Sequence, residues 1–253
     1  MLCLQASIGA VNDLADADAD HVGKPAKPIP AGAVAPSAAR IWAVGSLAGG
    51  MLIAATFGPA VAAVAAAGVS LGYAYDLRLS RTALSWLPLA LALPLLPIFA
   101  WLGATGMIAA GLVTLVPIAV LAGAALLIGN GLVDVERDAI AGKPTTAVRM
   151  GRGAAWFAHA GAFGTAVLLA FAFAPGVPAS LAGGAASRPE LRWVWVAGIP
   201  LGVVLIVAGS ALLAAARPRV RERGWELEAI GTAALGLGWL AGTAIAAGGG
   251  AAG

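Results

Sequence analysis

The chain has 253 residues, of which 60% are hydrophobic and only 11% charged, with a mean hydropathy of +0.92. Soluble domains carry about 25% charged residues, so this balance excludes an ordinary soluble domain and predicts an all-α, polytopic membrane protein. The lone cysteine, Cys3, excludes an internal disulfide and a multi-cysteine metal site, and the net charge of +3 matters less than where the charges fall.

Apolar stretches run at about 2–12, 36–57, 59–75, 83–103, 106–130, 154–174, 192–216 and 227–247. They are rich in Ala, Leu, Val and Gly without strand-like alternation, so about eight helices are expected, close to what 253 residues hold at roughly 20 residues per span. The first stretch is anomalous. The residues before Asn12 are too few to cross about 30 Å of hydrocarbon, which is expected of half a helix whose beginning is missing. Pro88, Pro94 and Pro97 predict a kink in the fourth stretch. Gly45 and Gly49, Gly68 and Gly72, and Gly198 and Gly202 have the spacing that permits close helix packing. The eight tryptophans, Trp239 among them, mostly sit near proposed helix ends and are expected as interfacial anchors.

Basic residues cluster in alternate connections. Of the fifteen, only Arg188 and Arg192 fall on the other side, so the remaining connections are cytoplasmic by the positive-inside rule. Two acidic clusters lie on that same face. The first is Asn12-Asp13-Leu14-Ala15-Asp16-Ala17-Asp18-Ala19-Asp20, and the second is Asn130-Gly131-Leu132-Val133-Asp134-Val135-Glu136-Arg137-Asp138. Carboxylates beside a membrane core are costly unless they pair, bind metal or meet water. At about 100° per residue, Asn12, Asp13, Asp16 and Asp20 share an arc of roughly 100°, with Asp18 pointing away. Asn130, Asp134 and Asp138 fall within roughly 80°, with Glu136 opposite. Each helix end thus presents a row of hard oxygen ligands, suited to Mg²⁺ held jointly with substrate phosphates; Mn²⁺ suits the same donors.

Basic segments follow each cluster. His21 to Gly32 carries three prolines, which predict an extended, stiff segment holding Lys24 and Lys27 over the carboxylates. Tyr73-Ala74-Tyr75-Asp76-Leu77-Arg78-Leu79-Ser80-Arg81 lies between the clusters, and Gly142-Lys143-Pro144-Thr145 follows the second. Together these segments resemble the UbiA superfamily of intramembrane prenyltransferases. The family's first signature, NDxxDxxxD, is matched by Asn12, Asp13, Asp16 and Asp20. Its basic-proline phrase is matched by Lys27-Pro28-Ile29-Pro30-Ala31-Gly32, with Lys for Arg and Ala for Ser. The second signature is matched by Asp134, Asp138 and the Gly142–Thr145 segment. Ser80 stands where relatives carry a basic residue, a charge that Arg78 or Arg81 supplies.

The resemblance implies one membrane-embedded domain over 1–253, a helix bundle around a central cavity, with nine helices in the family and the first of them missing here. It implies Mg²⁺-dependent transfer of a polyprenyl group from its diphosphate to an aromatic or other lipophilic acceptor, among membrane lipid and without nucleic acid. Asp13, Asp16, Asp20, Asp134 and Asp138 are the implied metal ligands and catalytic residues. Asn12, Lys24, Lys27, Arg78, Arg81, Asn130 and Lys143 are the implied diphosphate contacts. Alternatives are a truncated, non-catalytic relative and a cation-coupled transporter; the latter favours midplane carboxylates over clusters at helix ends. His159 reads as a hydrogen-bonded structural residue, and His21, Asp18 and Glu136 as solvated. Glu222, Glu226 and Glu228, interleaved with Arg217, Arg219, Arg221 and Arg223, read as a solvated loop.

Overall fold

A computed structural model describes residues 1–174 and 189–249. All regular structure among them is helical: α1 (Leu2–Gly23), α2 (Pro36–Thr56), α3 (Pro59–Leu77), a 3₁₀ turn (Leu79–Arg81), α4 (Leu87–Ala92), α5 (Leu95–Thr105), α6 (Gly111–Val133), α7 (Val135–Ile140), α8 (Thr146–Met150), α9 (Arg152–Ala172), α10 (Pro189–Leu213) and α11 (Pro218–Gly249). Arg188 lies outside the described residues.

Seven rods are long and apolar enough to cross a bilayer: α2, α3, α4 with α5, α6, α9, α10 and α11. The first stretch is the exception, because α1 continues through the acidic cluster to Gly23. Large apolar side chains on the other rods face outward, including Leu52, Phe157, Leu168 and Trp193, as a lipid-facing surface requires.

Local chemistry sets the boundaries. Pro36 and Pro59 occupy first-turn positions, where their missing N–H costs nothing, and Gly106 ends α5 in the left-handed region at φ 71°. The expected kink falls between α4 and α5 at Leu93–Pro94.

Two packed halves result. Leu4, Ala54, Val61, Ala65, Val69 and Leu102 join α1, α2, α3 and α5. Leu115, Phe163, Ala166, Ile206, Leu235 and Trp239 join α6, α9, α10 and α11. Trp239 is therefore a core residue rather than an interfacial anchor: its place midway along α11 packs the ring inside the second half. Gly198 and Gly202 let α10 approach α11 backbone to backbone; a Cβ at Gly202 would lie 2.7 Å from the Gly231 carbonyl oxygen. Gly123 allows the similar crossing of α4 over α6.

The run from Arg217 to Glu228 is not a solvated loop. From Pro218 on it forms the first turns of α11, where Glu222, Arg223 and Glu226 are exposed while Arg221 and Glu228 are fully buried. Glu228 accepts from Ser210 Oγ at 2.7 Å and lies 2.8 Å from His159 Nε2, while His159 Nδ1 meets the Ala125 carbonyl at 2.8 Å. His159 is thus a hydrogen-bonded structural histidine, and its imidazole together with the Ser210 hydroxyl explains how Glu228 is tolerated inside.

Candidate active site

The last turns of α1 carry the first acidic row. Lys27 reaches both Asp13, at 2.9 Å, and Asp20, at 2.7 Å, which lie seven residues apart on one helix face. It does so because the proline-rich segment is not extended. Lys27 N–H donates to the Lys24 carbonyl, Ala31 N–H to Lys27 and Val34 N–H to Pro28, so the chain coils back over α1 in successive turns. Burial alone would lower the Lys27 pKa, but its hydrogen bonds to Asp20 and Asp13 outweigh that and hold it above the usual lysine value. Asp18 is exposed, as expected, and so is His21.

The segment after α3 supplies the next cation. Arg81 donates to the Asp16 carboxylate at 3.0 Å and to the Ala15 carbonyl at 3.3 Å. Arg78 and Lys24 are exposed and form no ion pair among the described residues. Asn12 Nδ2 donates to Asp76 Oδ1 at 3.0 Å, and the other oxygen of this buried carboxylate has no partner. Asp76 belongs to the site although its own motif position did not single it out. The signal was an acid in the final turn of an otherwise apolar helix.

The second row departs from a continuous arc. α6 ends at Val133, Asp134 sits at the break with φ −106° and ψ 9°, and α7 starts again at Val135. Asp134 pairs with Arg137 at 2.6 Å. Asp138 is pushed above the ordinary aspartate range by burial, against the pull of Lys143. Glu136 is half-exposed but not simply solvated: it bonds to the buried Arg221. Thr146 at the start of α8 bonds Ser85 Oγ at 2.9 Å and the Ala83 carbonyl at 2.8 Å, which draws the Lys143 segment beside the Arg81 segment.

The two rows approach each other across Tyr75. This residue faces Asn130 and lies within the fields of Asp16, Asp76 and Asp138, while Asp138 also senses Lys24. Among the described residues no three acidic or histidine side chains converge as a ready-made metal cage. Such a cage is not what Mg²⁺ needs. That ion typically takes one or two carboxylates, and the phosphates of its substrate supply further oxygens. The carboxylates here have the right donor chemistry, and four of them, Asp13, Asp20, Asp16 and Asp134, pair with Lys27, Arg81 and Arg137.

Below the acids lies a cavity of about 420 Å³ between α1, α3, α4, α5 and Leu127 of α6. Asn12, Tyr75 and Asp76 form its polar end; Ile8, Val69 and Phe99 line its apolar depth. Along α3 the lining runs from Asp76 back to Val64, roughly 18 Å of helix. A second, more apolar cavity of about 430 Å³ lies between α5, α6 and α11, and Leu96 borders both.

A profile of the UbiA prenyltransferase family matches residues 1–225. A digeranylgeranylglyceryl phosphate synthase from Methanopyrus kandleri is 34% identical over 203 residues, covering 79% of this chain and 72% of that protein. A second synthase of that name, from Ignicoccus hospitalis, is 41% identical over 75 residues, 30% of this chain and 25% of the relative. Among solved structures, a UbiA homolog from Archaeoglobus fulgidus bound to GPP and Mg²⁺ aligns with a TM-score of 0.68 at 19% identity, covering 94% of this chain and 83% of that one. A digeranylgeranylglyceryl phosphate synthase structure aligns with a TM-score of 0.62 at 17% identity, covering 96% and 81%. The apolar helices, the paired acid signatures and these matches agree: the chain belongs to the UbiA prenyltransferase family and is an integral membrane prenyltransferase.

Proposed function

We propose that this chain, acting as one membrane-embedded domain, transfers a polyprenyl group from its diphosphate to the hydroxyl of a glyceryl phosphate lipid, on the cytoplasmic side and with Mg²⁺. The observation that carries this reading is the meeting of two cation-neutralised acid rows at the polar end of an apolar cavity. The acceptor class follows the names of the two curated relatives. Their product bears two geranylgeranyl chains, so the acceptor already carries one, and the cavity sharing Leu96 offers apolar room for it.

Asp13, Asp16 and Asp20 of the first row and Asp134 and Asp138 of the second would hold the metal, with Asn12 and Asn130 beside them. When bound, the divalent cation neutralises charge on the diphosphate as the C–O bond breaks. Lys24, Arg78 and Lys143 face that diphosphate, and Lys27 and Arg81 exchange carboxylate for phosphate oxygens. These contacts strengthen as negative charge accumulates on the leaving group, so they favour the transition state over the bound substrate. The apolar lining keeps water from the allylic cation. The acceptor oxygen forms the new C–O bond and sheds its proton, for which the unpartnered oxygen of Asp76, at the cavity's polar end, is the candidate base.

The test is binding of geranylgeranyl diphosphate to the purified full chain with and without Mg²⁺, in wild type, Asp16→Asn and Asp134→Asn, followed by transfer to geranylgeranylglyceryl phosphate or to hydroxybenzoate. Binding that vanishes with chelator and weakens in both variants supports one shared diphosphate site. Folded wild-type protein that fails to bind would sink the reading, and transfer only to hydroxybenzoate would overturn the acceptor assignment.

A further inference from the structure

Arg221 is a fully buried cation that the transfer chemistry does not use. Its guanidinium spans three elements. Nη1 donates to the carbonyls of Ala216, at 3.0 Å, and Ala215, at 3.3 Å, beyond the end of α10. Nη2 donates to the Val133 carbonyl at 3.1 Å and to the Glu136 carboxylate. Val133 is the last residue of α6 and Glu136 lies in α7, so these two bonds straddle Asp134, the residue at which the helix breaks.

We infer that Arg221 is a positioning residue for the second acid row: it fixes the α6–α7 break and with it the relative placement of Asp134 and Asp138. In an unbroken helix the Val133 carbonyl would accept from the Arg137 N–H. Here Arg221 holds that carbonyl, and Arg137 turns its side chain to Asp134. The end of α10 gives the clamp a rigid base. Arg152 of α9 donates to the Ala214 carbonyl at 2.8 Å and the Ala215 carbonyl at 2.5 Å, so two arginines tie these carbonyls down.

Stability alone is a poor reason for an arginine at this point. Burying a charge is costly unless its donors are met, and the Nε of Arg221 has no acceptor among the described residues. What the planar fork supplies is simultaneous reach to the end of α10 and to both sides of the α6–α7 break, which a lysine cannot reproduce. Partners behind a metal ligand commonly govern its affinity for the ion, by about 10–100-fold.

The inference rests on Asp134 and Asp138 belonging to the metal–diphosphate site, and the experiment separates the two. The Mg²⁺ concentration for half-maximal binding of geranylgeranyl diphosphate is measured for the full chain, alongside thermal stability, in Arg221→Met, Arg221→Lys, Glu136→Ala, Arg221→Met with Glu136→Ala, and Asp134→Asn. Arg221→Met is expected to raise the half-saturating Mg²⁺ by about 10–100-fold, with Arg221→Lys giving only partial rescue. Glu136→Ala, a change at a half-exposed position, is expected to shift it in the same direction and to add little in the double variant, because both act through one break. Should Arg221→Met fail to fold, Glu136→Ala carries the test alone. A lowered melting temperature with unmoved Mg²⁺ dependence overturns the inference, provided Asp134→Asn does weaken binding. If Asp134→Asn has no effect, the underlying site assignment falls instead.

Discussion

If the cavity beneath the acids holds the prenyl tail, filling it at a chosen depth must penalise long donors and spare short ones. Gly68 is the position to fill. It lines the cavity on α3, and a Cβ built there meets nothing within 4 Å, so Gly68→Leu enters open space without displacing backbone. Eight residues separate it from Asp76 at the polar end, roughly 12 Å along the helix axis. A leucine side chain occupies space that about four tail carbons would otherwise bury. At about 0.8 kcal/mol per buried methylene the loss is about 3 kcal/mol, or about two decades in affinity. Helix propensity favours leucine over glycine by several tenths of a kcal/mol, so the variant should keep its melting temperature. The assay is the Kd for geranylgeranyl diphosphate and for dimethylallyl diphosphate with saturating Mg²⁺. A roughly hundredfold weakening of the twenty-carbon donor and an unchanged five-carbon donor is expected. Equal losses for both, or no loss for the long donor in a folded variant, would refute the tail assignment.

Two further changes probe the chemistry and the buried polar groups. Asp76→Asn keeps an acceptor for Asn12 Nδ2 but cannot take a proton. It should retain Mg²⁺-dependent diphosphate binding while single-turnover transfer slows by about 10²–10⁴-fold; full activity would remove Asp76 from the proton's path. His159→Phe strands Glu228, fully buried, without its imidazole partner, and should destabilise by about 3–5 kcal/mol, read as a lowered melting temperature in detergent. Adding Glu228→Leu should recover most of that loss. A double variant as unstable as the sum of the two singles would show that the pair is not coupled.

Some features that depend only on neighbours in the chain were legible beforehand, although the proline-bearing segment after α1, expected to be extended, coils in local turns. Pro94 and Pro97 break the fourth rod because each lacks an N–H and crowds the preceding turn, whatever surrounds it, while Pro88 sits harmlessly in the first turn of α4. The helical spacing of Asp13 and Asp20 sufficed to place both within reach of one cation. Other features depend on what another helix brings, and these were missed or misread. Asp76 gains its meaning from Asn12, 64 residues earlier. The second row looks continuous in a helical projection, yet it breaks at Asp134, where Val133 and Glu136 bond a side chain 85 or more residues away.

Arg219 and Arg221 make the distinction sharpest. They have the same side chain, lie two residues apart on one helix and sit in one charge run, yet Arg219 is exposed and Arg221 is buried. Helical spacing puts them roughly 200° apart, which predicts that they face different ways. It does not say which face is covered. Hydropathy offers no help either, because a run of alternating charge averages to the same polarity on every side. Only the carbonyls of Val133, Ala215 and Ala216 decide the matter, and they come from the ends of α6 and α10. A helix terminus in a membrane protein leaves such carbonyls unsatisfied wherever water is excluded. A long cationic side chain on the next rod is a natural way to meet them. Charge runs that open a helix beside other helix ends are therefore better read one residue at a time than as a solvated block.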